Sequence, residues 1–101
     1  DIFTAIARRF GIPLVYVNQA GGNDELVFDG SSFAMDAEGR VTASACSFAE
    51  DLVLPGEFHD DYPDECEAVY QALVLGTRDY LVKCGFRSVL IGLSGGIDSS
   101  I

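Results

Sequence analysis

Apolar residues recur at Ile2, Phe3, Ile6 and Phe10, a near-helical spacing over the first ten positions. The helix predicted over 1–10 carries its own stop. Arg8 and Arg9 suit the negative end of the helix dipole, Gly11 suits the cap, and Pro13 forbids continuation. Leu14, Val15, Tyr16 and Val17 then form an unbroken apolar run within 13–19, the pattern of a strand covered on both faces. Residues 21–25, Gly-Gly-Asn-Asp-Glu, read as a loop. The glycines would shape its turn, and Asp24 and Glu25 would face water or a partner subunit. Over 26–36 the pattern predicts a short strand, a kink at Asp29-Gly30 and a second strand. Glu38-Gly39 reads as a turn. Residues 40–48 alternate, with Val41, Ala43 and Ala45 inward and Thr42 and Ser44 outward. Strands joined by such short turns predict an antiparallel meander, the end of a layered domain.

The character then changes. Residues 50–67 hold eight acids (Glu50, Asp51, Glu57, Asp60, Asp61, Asp64, Glu65 and Glu67) and no Lys or Arg, with Pro55, Gly56 and Pro63 among them. A shift of this kind marks a domain boundary. The acids have no regular ligand spacing, so 54–63 reads as a solvated linker rather than a metal site, and His59 within it reads the same way. A long helix is predicted over 64–84. Cys66, Val69, Tyr70, Leu73, Thr77, Tyr80, Leu81 and Cys84 fall on one face at three- and four-residue spacing. Pro63 and the acids suit its first turn, Lys83 and Gly85 its last. Gly76 in its middle costs up to ~1 kcal/mol against Ala, which points to close packing there. Residues 87–93, centred on Val89, Leu90 and Ile91, read as a buried parallel strand.

Composition narrows the functional classes. Six basic against sixteen acidic residues give a net charge of −10, which argues against a partner with a phosphate backbone. No apolar run approaches the ~20 residues of a membrane span. Cys46, Cys66 and Cys84 are odd in number and form no Cys-x-x-Cys pair, so neither a disulfide framework nor a zinc site is indicated, and a cytoplasmic setting fits best. Cys66 and Cys84 read as core residues. His59 is the only histidine, which disfavours a Ser-His-Asp triad. No capping residue precedes the first helix, and a final helix barely begins at Ile101, so the chain reads as an internal piece of a longer protein.

The chemistry gathers after the last strand, in Ser94-Gly95-Gly96-Ile97-Asp98-Ser99-Ser100. Two glycines let the backbone turn tightly with its N–H groups outward, and the serines add hydroxyls where a helix should start. A glycine-rich approach to a helix N-terminus is an anion site, with phosphate its usual guest. The lysine of a Walker loop and the three glycines of a dinucleotide fingerprint are both absent. Asp98 beside a phosphate would repel it unless a cation such as Mg²⁺ intervenes.

Ser94-Gly95-Gly96-Ile97-Asp98-Ser99 resembles the signature loop of the ATP pyrophosphatase superfamily. These enzymes cleave ATP between its α- and β-phosphates and adenylate an oxygen that a nitrogen or sulfur nucleophile displaces. Upstream, YVNQAGGNDELVFDGSSFAMDAEGRV looks like the end of the nitrilase-like amidase domain of bacterial glutamine-dependent NAD synthetases. YQALVLGTRDYLVKCGF and SVLIGLSGGIDSS look like the start of their synthetase domain. The resemblance implies an α/β fold: residues 1–53 end a nitrilase-like sandwich layer, 54–63 link, and 64–101 supply the first helix and strand of a Rossmann-like parallel sheet with its pyrophosphate loop. It implies ATP-dependent amidation of deamido-NAD with ammonia from glutamine, in a cytoplasmic homo-oligomer. Gly92, Leu93, Ser94, Gly95, Gly96, Ile97, Asp98 and Ser99 would hold the ATP phosphates, and Asp98 would ligand Mg²⁺. No catalytic residue is assigned, because the family's Glu-Lys-Cys glutaminase set precedes this segment, and the segment alone would be inactive. Another ATP pyrophosphatase-type amidoligase, a nitrilase-fold hydrolase, or an interaction module using the acidic linker are the competing readings.

Overall fold

The structure, a computed structural model, describes residues 2–59 and 62–100. It is an α/β arrangement of two helices and two small antiparallel sheets. Helix α1 spans Ile2–Phe10, and strand β1 spans Leu14–Tyr16. Strands β2 (Ala20–Asn23) and β3 (Leu26–Asp29) form a hairpin. Strands β4 (Phe33–Met35) and β5 (Val41–Ser44) follow, and the main sheet has the order β1-β4-β5. The expected meander is therefore interrupted: β1 pairs with β4, and the hairpin is inserted between them. Helix α2 spans Glu65–Lys83.

Gly21 and Gly22 lie in strand β2 and not in a loop; the turn is Asp24-Glu25 alone, with Asp24 at φ 53°. The kink at Asp29-Gly30 and the turn before Gly39 form as the sequence predicts. The alternating segment stops short at Ser44, and within it Ala43 is buried while Val41 is exposed.

One face of the main sheet is closed by α1. Phe3 of the helix meets Tyr16 and Phe33 with ring centroids 5.0 and 5.3 Å away, and Ala7 and Met35 are buried. Arg8 Nε donates to Glu38 O at 2.7 Å, fastening the helix end to the β4–β5 turn. Only part of the predicted apolar face is used: Ile2, Ile6 and Phe10 point to solvent. The opposite sheet face, with Val15 and Val17, is an open apolar groove edged by Leu52 and Leu54.

Helix α2 begins and ends where its sequence says. Asp64 caps it, accepting the Glu67 N–H, and Gly85 at φ 76° follows the C-cap Cys84. Its packing face differs from the apolar stripe. Val69, Tyr70, Leu73 and Tyr80 are exposed, as are Cys66 and Cys84, while Leu75 is buried. The helix instead lays Gly76 and Asp79 on the β2–β3 hairpin. The reason is steric. A Cβ at Gly22 would sit 3.2 Å from the Gly76 Cα, so bare glycines allow backbone to approach backbone.

The parallel strand expected over 87–93 does not form. The stretch is irregular, and Leu90 is fully exposed. A parallel strand needs a neighbour to take its N–H and C=O groups, and no described strand lies beside it. Among the described residues no helix is long and apolar enough to cross a membrane.

Candidate functional site

The serine-glycine loop stands at the exposed end of the chain, past α2. Gly95 turns at φ 86°, and Ile97–Ser99 make one 3-10 turn whose N-cap is Gly96. This single turn stands where the sequence predicts the start of a helix. The loop folds around its own hydroxyls. Ser99 Oγ donates to Gly96 O at 3.0 Å and accepts the Ser94 N–H at 3.2 Å and the Ser94 hydroxyl at 3.0 Å. Ser94 Oγ accepts the Gly96 N–H at 3.3 Å, and Ser100 Oγ also donates to Gly96 O. Every one of these bonds spans at most five residues, so the conformation is written in the local sequence.

Of the predicted site residues, Ser94, Gly95, Gly96, Ile97, Asp98 and Ser99 share this turn. Gly92 and Leu93 form its irregular approach, and Leu93 and Ile97 point into solvent. Nothing lies within 4 Å of the place a Cβ would occupy at Gly92 or Gly95. The Asp98 carboxylate is exposed and takes no hydrogen bond from the described residues. Arg87 and Asp98 are the only charged residues in 86–100. The arrangement thus fits a phosphate group: amides at the start of a turn and open space above a glycine, with three hydroxyls whose protons are held within the loop and would have to turn outward. One unengaged carboxylate beside it fits a hard cation such as Mg²⁺.

Two further constellations escaped the sequence pattern. The first joins α2 to the hairpin. Asp79 Oδ2 accepts the Gly22 N–H at 2.9 Å, and Lys83 Nζ donates to Gly22 O. The Gly22 N–H, ahead of the nearby cations Arg78 and Lys83, holds the Asp79 carboxyl below its usual range. The sequence signs were Gly76, which points to close packing there, and the spacing of Asp79 and Lys83, one helical turn apart.

The second lies in the acidic span, which is tied down over 51–59 rather than strung out as a free connection. Ser44 N–H donates to Glu57 O and His59 N–H to Ser44 O, both at 3.0 Å, so 57–59 runs beside the end of β5. Asp51 Oδ2 accepts the Cys46 N–H at 2.9 Å and meets His59 Nδ1 at 2.8 Å. The Cys46 N–H, then His59, hold the Asp51 carboxyl down at about 2, and Asp51 raises the His59 imidazole. Asp60 and Asp61, also in the predicted linker, lie outside the described residues.

Residues 69–101 match the family model for NAD synthase. The chain is 48% identical to a glutamine-dependent NAD(+) synthetase of Synechocystis over 94% of its length, and 43% identical to one of Acinetobacter baylyi over 97%. It covers 19% and 20% of those proteins, so it spans about a fifth of the curated relatives it matches. A solved glutamine-dependent NAD+ synthetase from Acinetobacter baumannii, in complex with ADP, superposes on 98% of the chain with a TM-score of 0.84 at 38% identity, and the chain covers 21% of it.

Proposed function

We propose that this chain, similar over nearly its whole length to glutamine-dependent NAD(+) synthetases, is the segment of such an enzyme that carries its ATP-phosphate loop. The observation that carries this reading is the Ser94–Ser99 turn, with its open glycines and clustered hydroxyls, inside the 69–101 match to the NAD synthase family. The whole enzyme would be a ligase forming a carbon–nitrogen bond. The carboxylate of deamido-NAD attacks the α-phosphorus of ATP and pyrophosphate leaves. Ammonia released from glutamine then displaces AMP from the acyl-adenylate, giving the amide of NAD.

In this chain the work is electrostatic. The amides of Gly95, Ile97 and Asp98 would gather the phosphates, joined by the Gly96 amide and the hydroxyls of Ser94, Ser99 and Ser100 once these exchange their bonds within the loop for the phosphate, with Gly92 and Leu93 leading into the turn. They would stabilise the charge that builds on the departing pyrophosphate. Asp98 would hold Mg²⁺, which supplies charge neutralisation when bound. The ADP complex of the Acinetobacter baumannii relative supports a nucleotide at this fold. Residues 1–53 would close a nitrilase-like amidase domain, 54–63 connect, and 64–101 open a Rossmann-like synthetase domain in which 87–93 pairs as a parallel strand. A cytoplasmic homo-oligomer is part of the same reading.

The test is a paired assay on the full-length enzyme carrying Asp98→Asn at saturating Mg²⁺. Asparagine keeps the shape and removes the charge, so ATP–pyrophosphate exchange should stop while glutamate release from glutamine stays measurable. Unchanged exchange would take Asp98 out of the metal role.

A further inference from the structure

The ligand atoms of Cys46, Asp51 and His59 lie within 4.8 Å of one another. They come from three points of the chain after β5 and sit apart from both the serine-glycine loop and the α2–hairpin joint. Closeness alone does not make a site, but two other observations bear on this one. His59 Nε2 faces Glu57 Oε2 at 3.3 Å. A metal-binding imidazole needs a lone pair on one nitrogen and a proton on the other, and a carboxylate on the protonated side is its usual orienting partner. In the free protein Nδ1 donates to Asp51 Oδ2 at 2.8 Å; once a metal displaces that proton, the proton on Nε2 stays toward Glu57 and the Nδ1 lone pair points into the cluster. Asp51 is anchored in the same sense: its Oδ1 accepts the Leu52 N–H at 2.7 Å, which leaves Oδ2 toward Cys46 and His59.

The backbone holds the three in place. His59 is hydrogen-bonded to the end of β5 through Ser44, and the Cys46 N–H is bound to Asp51 itself. The donor types also select. One sulfur, one imidazole nitrogen and one carboxylate oxygen form a borderline-soft set, suited to Zn²⁺ rather than to Mg²⁺ or Ca²⁺.

We propose that Cys46 Sγ, Asp51 Oδ2 and His59 Nδ1 form a binding site for a Zn²⁺-class cation, with Glu57 orienting the imidazole. Three protein ligands leave a fourth position for water or another donor. Tetrahedral zinc at ~2.0–2.3 Å bonds keeps its ligand atoms about 3.5 Å apart, so on binding the Asp51–His59 pair, now at 2.8 Å, opens by somewhat under an ångström, and contacts nearer the 4.8 Å limit close by roughly an ångström. The thiol proton, and any second proton on the imidazole, pass to solvent, and the Asp51–His59 hydrogen bond gives way to two metal bonds. The acidic span would thereby be clipped to the end of β5.

The test uses the full-length protein, stripped with chelator and titrated with Co²⁺. One equivalent should give tetrahedral visible bands and a thiolate-to-cobalt band in the near ultraviolet, both displaced by Zn²⁺. Cys46→Ser should remove the thiolate band, and Glu57→Gln should weaken binding about 10–100-fold. A measurement on the unaltered protein guards against variants that fail to fold: Zn²⁺ should slow alkylation of Cys46 and leave Cys66 and Cys84 unchanged. No thiolate band, a band that survives Cys46→Ser in folded protein, or alkylation of Cys46 indifferent to Zn²⁺ would overturn the site.

Discussion

The α2–hairpin joint and the serine-glycine loop lie some ten residues apart and are built on opposite terms. In the joint, both polar groups of the Gly22 peptide are taken by side chains 57 and 61 positions away. In the loop, no side-chain bond among the described residues reaches further than five positions, and every residue from 92 to 100 except Ser99 is exposed. The joint exists only where distant segments meet, so it contributes to folding. The loop takes its shape from its own residues and stands in solvent, so under the proposed function it would contribute to binding. On that reading stability and chemistry are carried by neighbouring stretches with little overlap, and substitutions should separate them.

The largest separation should come from Gly95→Val in the full-length enzyme. A β-branched residue is poorly tolerated at φ 86°, so the loop loses the turn that aims its amides. ATP–pyrophosphate exchange should fall by about 100-fold or more, the scale for losing aligned donors, while the thermal midpoint barely moves. Gly22→Val should do the reverse. Its side chain would press on the Gly76 Cα and Asp79 Cβ, 3.2 and 3.5 Å from the new Cβ. The expected loss is about 1–3 kcal/mol in urea unfolding, typical of overpacking.

Acid should loosen the joint and leave the loop alone. The Gly22 N–H is the chief cause that holds the Asp79 carboxyl below its ordinary range. A depressed carboxyl contributes stability that is complete above its unfolded pKa and lost as pH falls through the folded one. The contribution should therefore be whole above pH ~4–5 and decline below that range. Asp79→Asn should flatten that part of the curve, as read from urea midpoints between pH 3 and 6. The smallest effect belongs to Arg40→Gln. Arg40 pairs with Asp36 and Glu38 on an exposed turn, at 72% side-chain exposure, and its loss should leave both the midpoint and the exchange rate unmoved.

The same contrast explains what could be read from the chain. Signals that act within a turn of their residue were legible. Asp64 and Gly85 bound α2, Gly11 ends α1, and the kink at Asp29-Gly30 falls where it was expected. The serine-glycine loop belongs with these. Which face of a helix meets the rest of the chain was not legible. Apolar spacing marks Ile2, Ile6 and Phe10, or Val69, Tyr70 and Leu73, as fit for burial, but the hairpin and sheet cover Ala7 and Leu75 instead. Small residues that permit close approach leave a weaker periodic trace than large ones that fill space. The strand expected at 87–93 fails for the same reason, because a strand's pairing is supplied by other segments. His59 looked like one more polar residue of an acidic span, since nothing local shows that Asp51 and the end of β5 fold back on it.

The claim that the serine-glycine loop receives ATP phosphates is tested most directly by amide hydrogen exchange on the intact enzyme, with and without ATP and Mg²⁺. The loop's exposure predicts fast exchange at 92–100 in the free protein and strong slowing in the complex, while 20–23 and 76–83 change little. Exchange at 92–100 that stays fast at saturating nucleotide would contradict the assignment.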